Sequence, residues 1–260
     1  PIPITISLDA DASPEVIRFS ENIFSRFYTI SIIKHTQKMG PDQHNLWAMQ
    51  QSEIFENVMI LEDDTMVSPS LFFYSSAILT KLTDDSQIAG FSLYDYARNE
   101  VANYPFMKLQ DGNDIYYYQR ASSRGMLLTK AQWLRFKSCK ITETGIDLPE
   151  FYRRWDDSIW EKKFNAYLIQ ENKYWAFPRQ SITTNFGEPG AHVSKSIYRH
   201  AFQSKLSNSI KSEYKLCTVP ESKAVYDSYG EPTCIPGFSK NEITSDIFGI
   251  RNLSLVKTKY

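Results

Sequence analysis

The sequence predicts an α/β fold in which a mostly parallel, doubly wound sheet is flanked by helices. Short apolar runs alternate with longer amphipathic segments along the chain, and such alternation is typical of parallel sheets covered on both faces. The run at residues 58–61 is apolar throughout and ends abruptly at Glu62-Asp63-Asp64. A strand buried on both faces, with polar groups where it stops, explains this pattern.

Each element follows from a local pattern. Ser13 before Pro14 is a typical N-cap followed by a first-turn proline, and it predicts the first helix. Gly40-Pro41 predicts a break before a second helix, and the apolar segment after Ser70 predicts a third. Strands are predicted at residues 4–8, 28–33, 58–61, 87–93, 111–118 and 174–177. Helices are predicted at residues 14–24, 43–55, 71–82, 130–136 and 148–165.

The chain is predicted to form one α/β domain over residues 1–204, followed by an extension over 205–260 that packs on the same domain. Polarity rises and periodicity fades beyond Ser204. Residues 187–194 contain two glycines and a proline, which predicts an irregular loop.

The amino-acid composition limits the classes of molecule that the chain is expected to bind. The 260 residues carry 29 Lys and Arg against 30 Asp and Glu, so no basic surface for nucleic acid is predicted. No run of 18 uncharged apolar residues occurs, so no transmembrane segment is predicted in this chain. The 16 Tyr, 16 Phe and 5 Trp residues suit sugar binding, because flat rings stack on pyranoses.

The three cysteines are too few and irregular for a disulfide framework or a zinc site. A bridge between Cys217 and Cys234 is an alternative to unpaired thiols, which are favoured. Cysteine usage therefore favours a reducing compartment.

Four polar clusters each adjoin a predicted strand or helix end: Asp9, His44, Glu62-Asp63-Asp64 and Asp156-Asp157. Three adjacent carboxylates repel one another, and a divalent cation or several hydroxyl donors would relieve that repulsion. An N-cap cluster for the helix at 71–82 explains the triplet equally well. Asp9 as a turn cap, His44 as a surface histidine and Asp156-Asp157 as a solvated helix face are the corresponding alternatives.

Taken together and in order, these clusters resemble the N-acetylglucosaminyltransferase I family of Golgi glycosyltransferases, which includes the protein O-mannose N-acetylglucosaminyltransferase. The resemblance covers about residues 4–202. It rests on the segments Ser7-Leu8-Asp9, His44-Asn45-Leu46-Trp47-Ala48, Ile60-Leu61-Glu62-Asp63-Asp64, Pro69-Ser70-Leu71-Phe72-Phe73-Tyr74, Gly125-Met126-Leu127-Leu128, Trp155-Asp156-Asp157 and Thr184-Asn185-Phe186-Gly187.

The resemblance implies a GT-A-like, Rossmann-like fold that lacks the family's first strand–helix unit. It also implies a nucleotide-sugar donor, with a role for each matching residue. Asp9 would bind the uracil, and His44 would lie in the same nucleotide pocket. Glu62 would reach the sugar hydroxyls, and Asp63 would lie near the ribose.

The remaining roles implied by the resemblance concern the metal, the proton and a mobile loop. Asp64 would be the direct ligand of Mn²⁺ (or Mg²⁺), and Asp156 would be the catalytic base. The loop from Gly187 to Ser194, which includes His192, would close over the donor. Around Gly125 the family's Pro-Gly-Leu-Gly-Trp is replaced by Ser122-Ser123-Arg124-Gly125-Met126, so the resemblance leaves the acceptor undetermined.

The sequence thus predicts an inverting, metal-dependent glycosyltransferase that moves a sugar, GlcNAc by resemblance, from a UDP-sugar to a hydroxyl of a glycan or other acceptor. One alternative is a phosphoryl hydrolase in which the two acidic clusters share two metal ions. A non-catalytic sugar-binding domain of the same fold is another. Cysteine usage slightly favours the cytoplasm, whereas the resemblance implies the Golgi lumen.

Overall fold

The protein was analysed as a computed structural model, which describes residues 2–142, 145–186, 203–235 and 244–251. The chain forms two compact units, Pro1–Ala48 and Met49–Tyr260. The predicted division at residue 204 remains a prediction.

The first unit contains a parallel pair of strands. Strands β1 (Pro3–Leu8) and β2 (Thr29–Lys34) pair along their whole length, and helix α1 (Pro14–Glu21) lies between them in the chain. Ser13 caps α1 as predicted, because its hydroxyl accepts a hydrogen bond from the Val16 N–H at 3.2 Å. Helix α2 (Gly40–Gln50) follows.

The second unit holds the remaining elements. Its helices are α3 (Ser52–Phe55), α4 (Leu71–Lys81), α5 (Lys130–Ser138), α6 (Glu150–Arg153) and α7 (Trp160–Gln170). Its strands are β3 (Asn57–Ile60), β4 (Thr65–Val67), β5 (Ile88–Ser92), β6 (Arg98–Asn99), β7 (Tyr104–Pro105), β8 (Ile115–Tyr118), β9 (Met126–Thr129), β10 (Tyr174–Pro178), β11 (Thr183–Asn185) and β12 (Val225–Tyr226).

Six strands form one sheet in the order β12-β8-β10-β5-β9-β3. The pairs β12–β8 and β10–β5 are parallel, whereas β8–β10, β5–β9 and β9–β3 are antiparallel. Among the described residues, β1 and β2 form a separate two-stranded sheet. The α/β class is therefore confirmed, but the expectation of a mostly parallel sheet is wrong.

The antiparallel pair β5–β9 arises where the chain has no crossover helix. Between β5 and β9, residues 93–125 contain only β6, β7, β8 and loops. A parallel neighbour needs a long crossover, usually a helix, whereas an antiparallel neighbour does not. Strand–helix alternation therefore does not continue through this stretch, which contains no helix.

Helices cover both faces of the sheet, and alternate residues of β10 show this. Tyr174 and Ala176 belong to the buried cluster that contains Tyr74 of α4. Trp175 points to the other face, where its ring lies 5.3 Å from that of Phe164 in α7. This alternation is the period-two pattern of a strand buried on both sides.

Most predicted helices are confirmed, but two are interrupted. The helix predicted at 43–55 is split into α2 and α3. The helix predicted at 148–165 is two helices, α6 and α7, and Trp155 and Asp156 lie in the turn between them. This interruption places the second acidic cluster in a loop rather than on a helix face.

Gly90 of β5 lies directly beneath the Trp175 ring, and a Cβ at this glycine would be 2.5 Å from Trp175 Cε2. Because the ring is fully buried, we expect Gly90→Ala to lower the free energy of unfolding by about 1–3 kcal/mol. Trp175→Phe leaves a smaller ring, so the double variant should lose less than the sum of the single losses. Urea denaturation measures all three, and strictly additive losses would contradict the proposed packing.

Candidate functional site

The acidic triplet forms a tight turn immediately after β3. The Thr65 N–H donates to the Glu62 carbonyl oxygen at 3.2 Å, and β4 begins at Thr65. Asp63 is exposed, whereas Glu62 and Asp64 are half-buried. The three carboxylates therefore lie where a strand leaves the sheet, as the sequence predicts. The expectation that this strand is buried on both faces is wrong, because β3 lies at the edge of the sheet and only Ile60 in it is buried.

Asp64 is bound to a segment 121 residues further along the chain. The Asn185 side-chain amide donates to Asp64 Oδ2 at 2.5 Å, and the Phe186 N–H donates to the Asp64 carbonyl oxygen at 2.9 Å. Antiparallel pairing of β11 with β4 holds the two segments in register. These bonds place the acidic turn beside β11 and Phe186.

The segment before β9 joins the same end of the sheet. The Thr183 hydroxyl donates to the Arg124 carbonyl oxygen at 2.7 Å. Gly125 has φ +86°, and a Cβ there would lie 2.8 Å from the Thr183 side chain. Glycine is required here both for the left-handed backbone and for the close approach. Residues 123–125 and β11 are therefore in direct contact.

A buried ionic cluster adjoins residues 123–125 and includes Arg124. The Glu100 carboxylate accepts hydrogen bonds from the guanidinium groups of Arg120 and Arg124. Burial raises the pKa of Glu100, but the two arginines outweigh that effect and bring it to about 2. The Arg120 guanidinium also lies 4.0 Å from the centre of the Tyr96 ring. Sequence reasoning did not find this cluster; the only signal was Arg124, which departs from the family pattern.

Glu161, in the first turn of α7, also lies against the segment before β9. Its Oε1 accepts a hydrogen bond from the Ser123 N–H at 3.1 Å. Burial raises the pKa of Glu161, although Arg120 and Arg124 oppose the rise. The side chain is half-buried. By sequence, Asp156 is the first candidate for the base, and Asp157 or Glu161 is the next.

Asp156 and Asp157 are both exposed. Hydrogen bonds from Ser158 lower the pKa of Asp156, and one of these, from the Ser158 N–H to Asp156 Oδ1, is 2.8 Å long. Asp157 Oδ1 accepts from Lys162 Nζ at 2.5 Å, and Lys162 also donates to the Trp155 carbonyl oxygen at 3.0 Å. Both carboxylates thus stabilise the turn before α7.

Asp9, in the first unit, follows β1 and binds the chain at the start of α2. Its carboxylate accepts hydrogen bonds from the N–H groups of Ala10 at 2.7 Å, Met39 at 2.9 Å and Gly40 at 2.8 Å. The bonds from Met39, Gly40 and Ala10, of which the Met39 bond has the largest effect, lower the pKa of Asp9. The turn-capping interpretation therefore describes its contacts, and uracil binding stays a prediction.

His44 belongs to a compact polar and aromatic cluster in the first unit. The Ser7 hydroxyl lies 2.6 Å from His44 Nε2 and 2.9 Å from His35 Nε2. The Trp47 ring contacts both imidazoles, with centroids 4.7 Å from His35 and 5.9 Å from His44. Burial lowers the pKa of His44, and His35 adds to the effect. His35 is a member that sequence reasoning missed.

Two predicted site residues, Gly187 and His192, lie outside the described residues, as does the loop to which they belong. Within the described ranges, no three His, Cys, Asp or Glu side chains converge as a metal-binding group. None of the helices in the described part of the chain combines the length and the apolar character that crossing a bilayer requires.

Comparison of the sequence with models of known protein families and with curated proteins gives no match.

The lowered pKa of His44 predicts a pH-dependent first unit. Unfolded His44 binds a proton near its ordinary pKa of about 6.5, whereas folded His44 stays neutral to lower pH. His44 therefore lowers the stability of the folded state as the pH falls below about 6.5. Above that value it has no effect on stability. Because intrinsic amide exchange slows as the pH falls, the effect is read as a protection factor, and we expect the protection factors of the β1 and β2 amides in native-state hydrogen exchange to decrease from pH 7.5 to 5.5.

His44→Gln is the matched variant, because glutamine retains a hydrogen-bonding group and does not titrate. Its β1 and β2 amides should show a smaller pH effect. Equal pH dependence in the two proteins would show that His44 does not determine it.

Proposed function

We propose that this chain is an inverting, metal-dependent glycosyltransferase of GT-A-like fold, which moves GlcNAc from UDP-GlcNAc to a hydroxyl of a glycan or other acceptor. The observation that carries the proposal is the bond between Asn185 and Asp64. Each residue belongs to a different segment of the motif resemblance, and the two segments meet at the end of β3. Independent surface motifs would have no reason to meet there.

The acidic turn suits a hard divalent cation, which prefers oxygen ligands. Asp64 offers a carboxylate whose Oδ2 is fixed by the Asn185 amide, so Oδ1 is oriented for a second interaction. Asp63 and Glu62 add negative charge within the same turn. Asp64 would hold Mn²⁺ or Mg²⁺, and the cation would supply charge neutralisation for the departing diphosphate.

One protein ligand is enough for this chemistry, because phosphate oxygens and water complete the coordination. A two-metal phosphoryl hydrolase needs several converging carboxylates. A metal content near one ion per chain would favour the transferase over that alternative. A non-catalytic sugar-binding domain differs from the transferase only in turnover.

The other roles follow the resemblance. Asp9 and His44 would bind the nucleotide, Asp63 the ribose and Glu62 the sugar hydroxyls, with Gly187 and His192 in a closing loop. Inversion requires a carboxylate on the side of the sugar opposite the leaving group, to take the acceptor proton. The resemblance assigns this role to Asp156.

Calorimetric titration with UDP tests the donor assignment. We expect UDP to bind in the presence of Mn²⁺ and to bind at least tenfold more weakly without it, a difference of about 1.4 kcal/mol. Asp64→Asn should abolish most of the Mn²⁺ effect, because the cation loses its carboxylate ligand. No UDP binding by the unaltered chain under either condition would refute the proposal.

Two controls separate the metal role of Asp64 from its structural role. Asn185→Ala removes the amide that fixes Asp64 but keeps the carboxylate, so a substantial part of the Mn²⁺ effect should remain. Asp84→Asn makes the same chemical change at an exposed position and should leave UDP binding unaltered. If Asn185→Ala lost the Mn²⁺ effect as completely as Asp64→Asn, Asp64 would act mainly through the fold.

A further inference from the structure

Glu161 lies at the same end of the sheet as the acidic turn. Its Oε1 accepts the Ser123 N–H at 3.1 Å, and the adjacent Arg124 carbonyl oxygen accepts the Thr183 hydroxyl at 2.7 Å. Two residues beyond Thr183, Asn185 donates to Asp64 at 2.5 Å. Glu161 and Asp64 are therefore linked by a short series of contacts through β11.

The Glu161 carboxylate is oriented but not saturated. The Ser123 N–H is the one hydrogen-bond donor to it in the described part of the chain, and it binds Oε1. The side chain is half-buried, and the bond to Oε1 leaves Oε2 for another partner. A general base needs this combination of a fixed carboxylate and an oxygen left for the proton.

Asp156 differs in each respect. It is exposed, and its carboxylate accepts the N–H of Ser158 two residues further on. That contact fixes the turn before α7 and not a position beside β11. It also lowers the pKa of Asp156, which makes this aspartate a weaker base.

Burial of Glu161 makes it a stronger base than an ordinary carboxylate. Burial raises its pKa, Glu100 adds to the rise, and Arg120, Arg124 and the Ser123 amide reduce it. The ring of Tyr96 also faces this cluster, stacked on the Arg120 guanidinium. A carboxylate with a raised pKa, once ionised, accepts a proton more readily than an ordinary one.

We propose that Glu161, and not Asp156, is the carboxylate that takes the proton of the attacking hydroxyl. This inference rests on the transferase function proposed above. In the step, the acceptor oxygen forms a bond to the anomeric carbon, and the bond from that carbon to the β-phosphate oxygen breaks. The electron pair of the broken bond leaves with UDP. The acceptor proton passes to Glu161 Oε2 and then to solvent.

The test uses water as the acceptor, so that no particular glycan is assumed. UDP release from UDP-GlcNAc is measured with Mn²⁺ for the full chain and for three variants. Glu161→Gln should lower kcat by about two to four powers of ten, the usual contribution of a general base. Its affinity for UDP and its melting temperature should stay close to those of the unaltered protein. Asp156→Asn should retain most of the turnover.

Glu171→Gln is the matched control, because it makes the same change at the other end of α7 and should leave turnover unaltered. The pH dependence of turnover is a second test, because a purely structural role of Glu161 would not alter it. Turnover of the unaltered protein should rise with pH as Glu161 loses its proton. Glu161→Asp should keep that rise at reduced turnover, and the residual rate of Glu161→Gln should lack it.

Three results would overturn the inference. Normal turnover by Glu161→Gln would exclude Glu161 as the base while leaving the transferase function intact, and a loss confined to Asp156→Asn would assign the proton to Asp156. Parallel loss of UDP affinity and melting temperature in both Glu161 variants would show a structural role. No UDP release by the unaltered protein would reject the transferase function and, with it, this inference.

Discussion

The hydrogen bond from the Asn185 amide to the Asp64 carboxylate determines where distant parts of the second unit meet. It closes the short sheet formed by β4 and β11, and through Thr183 it joins the segment that leads into β9. An amide donor fixes one carboxylate oxygen and leaves the other for a ligand, which a lysine or arginine partner would neutralise instead. The hydrogen bond therefore orders the Asp64 carboxylate at the end of β3 without neutralising its negative charge.

Local patterns in the sequence predict individual elements well, because caps, breaks and apolar runs act over a few residues. Ser13 and Pro14 start a helix, and the apolar run before Glu62 is a strand, as expected. The direction of β8 and β9 depends on how distant strands pair, and no local pattern encodes it. The mixed sheet therefore could not be derived from alternation alone.

The candidate site, like the fold, is only partly predictable from the sequence. The position of the acidic turn after β3 follows from the sequence, but its partner Asn185 is known only from the three-dimensional pairing of β11. The cluster joins Glu100, in the loop between β6 and β7, to Arg120 and Arg124, in the loop between β8 and β9, so no short sequence pattern would reveal it. Buried ion pairs of this kind form only where the folded chain supplies partners that offset the cost of removing the charges from water.

The contrast between Asp156 and Glu161 shows why a motif does not assign a role by itself. Both residues lie near the start of α7, but Asp156 binds its own turn whereas Glu161 binds the segment that contacts β11. The ability of a carboxylate to accept a proton depends on its burial and on its partners. Both differ between Asp156 and Glu161, which are only five positions apart. A site assignment therefore needs the contacts as well as the order of motifs.

The central claim is that the turn at Asp64 holds a divalent cation together with the nucleotide. Paramagnetic broadening by Mn²⁺ tests it most directly, because the effect falls steeply with distance from the ion. With UDP present, Mn²⁺ should broaden the Asn185 side-chain amide signals selectively, Mg²⁺ should not, and the Gln170 amide at the far end of α7 should stay sharp. Equal broadening of Asn185 and Gln170, or none of either, would contradict the claim.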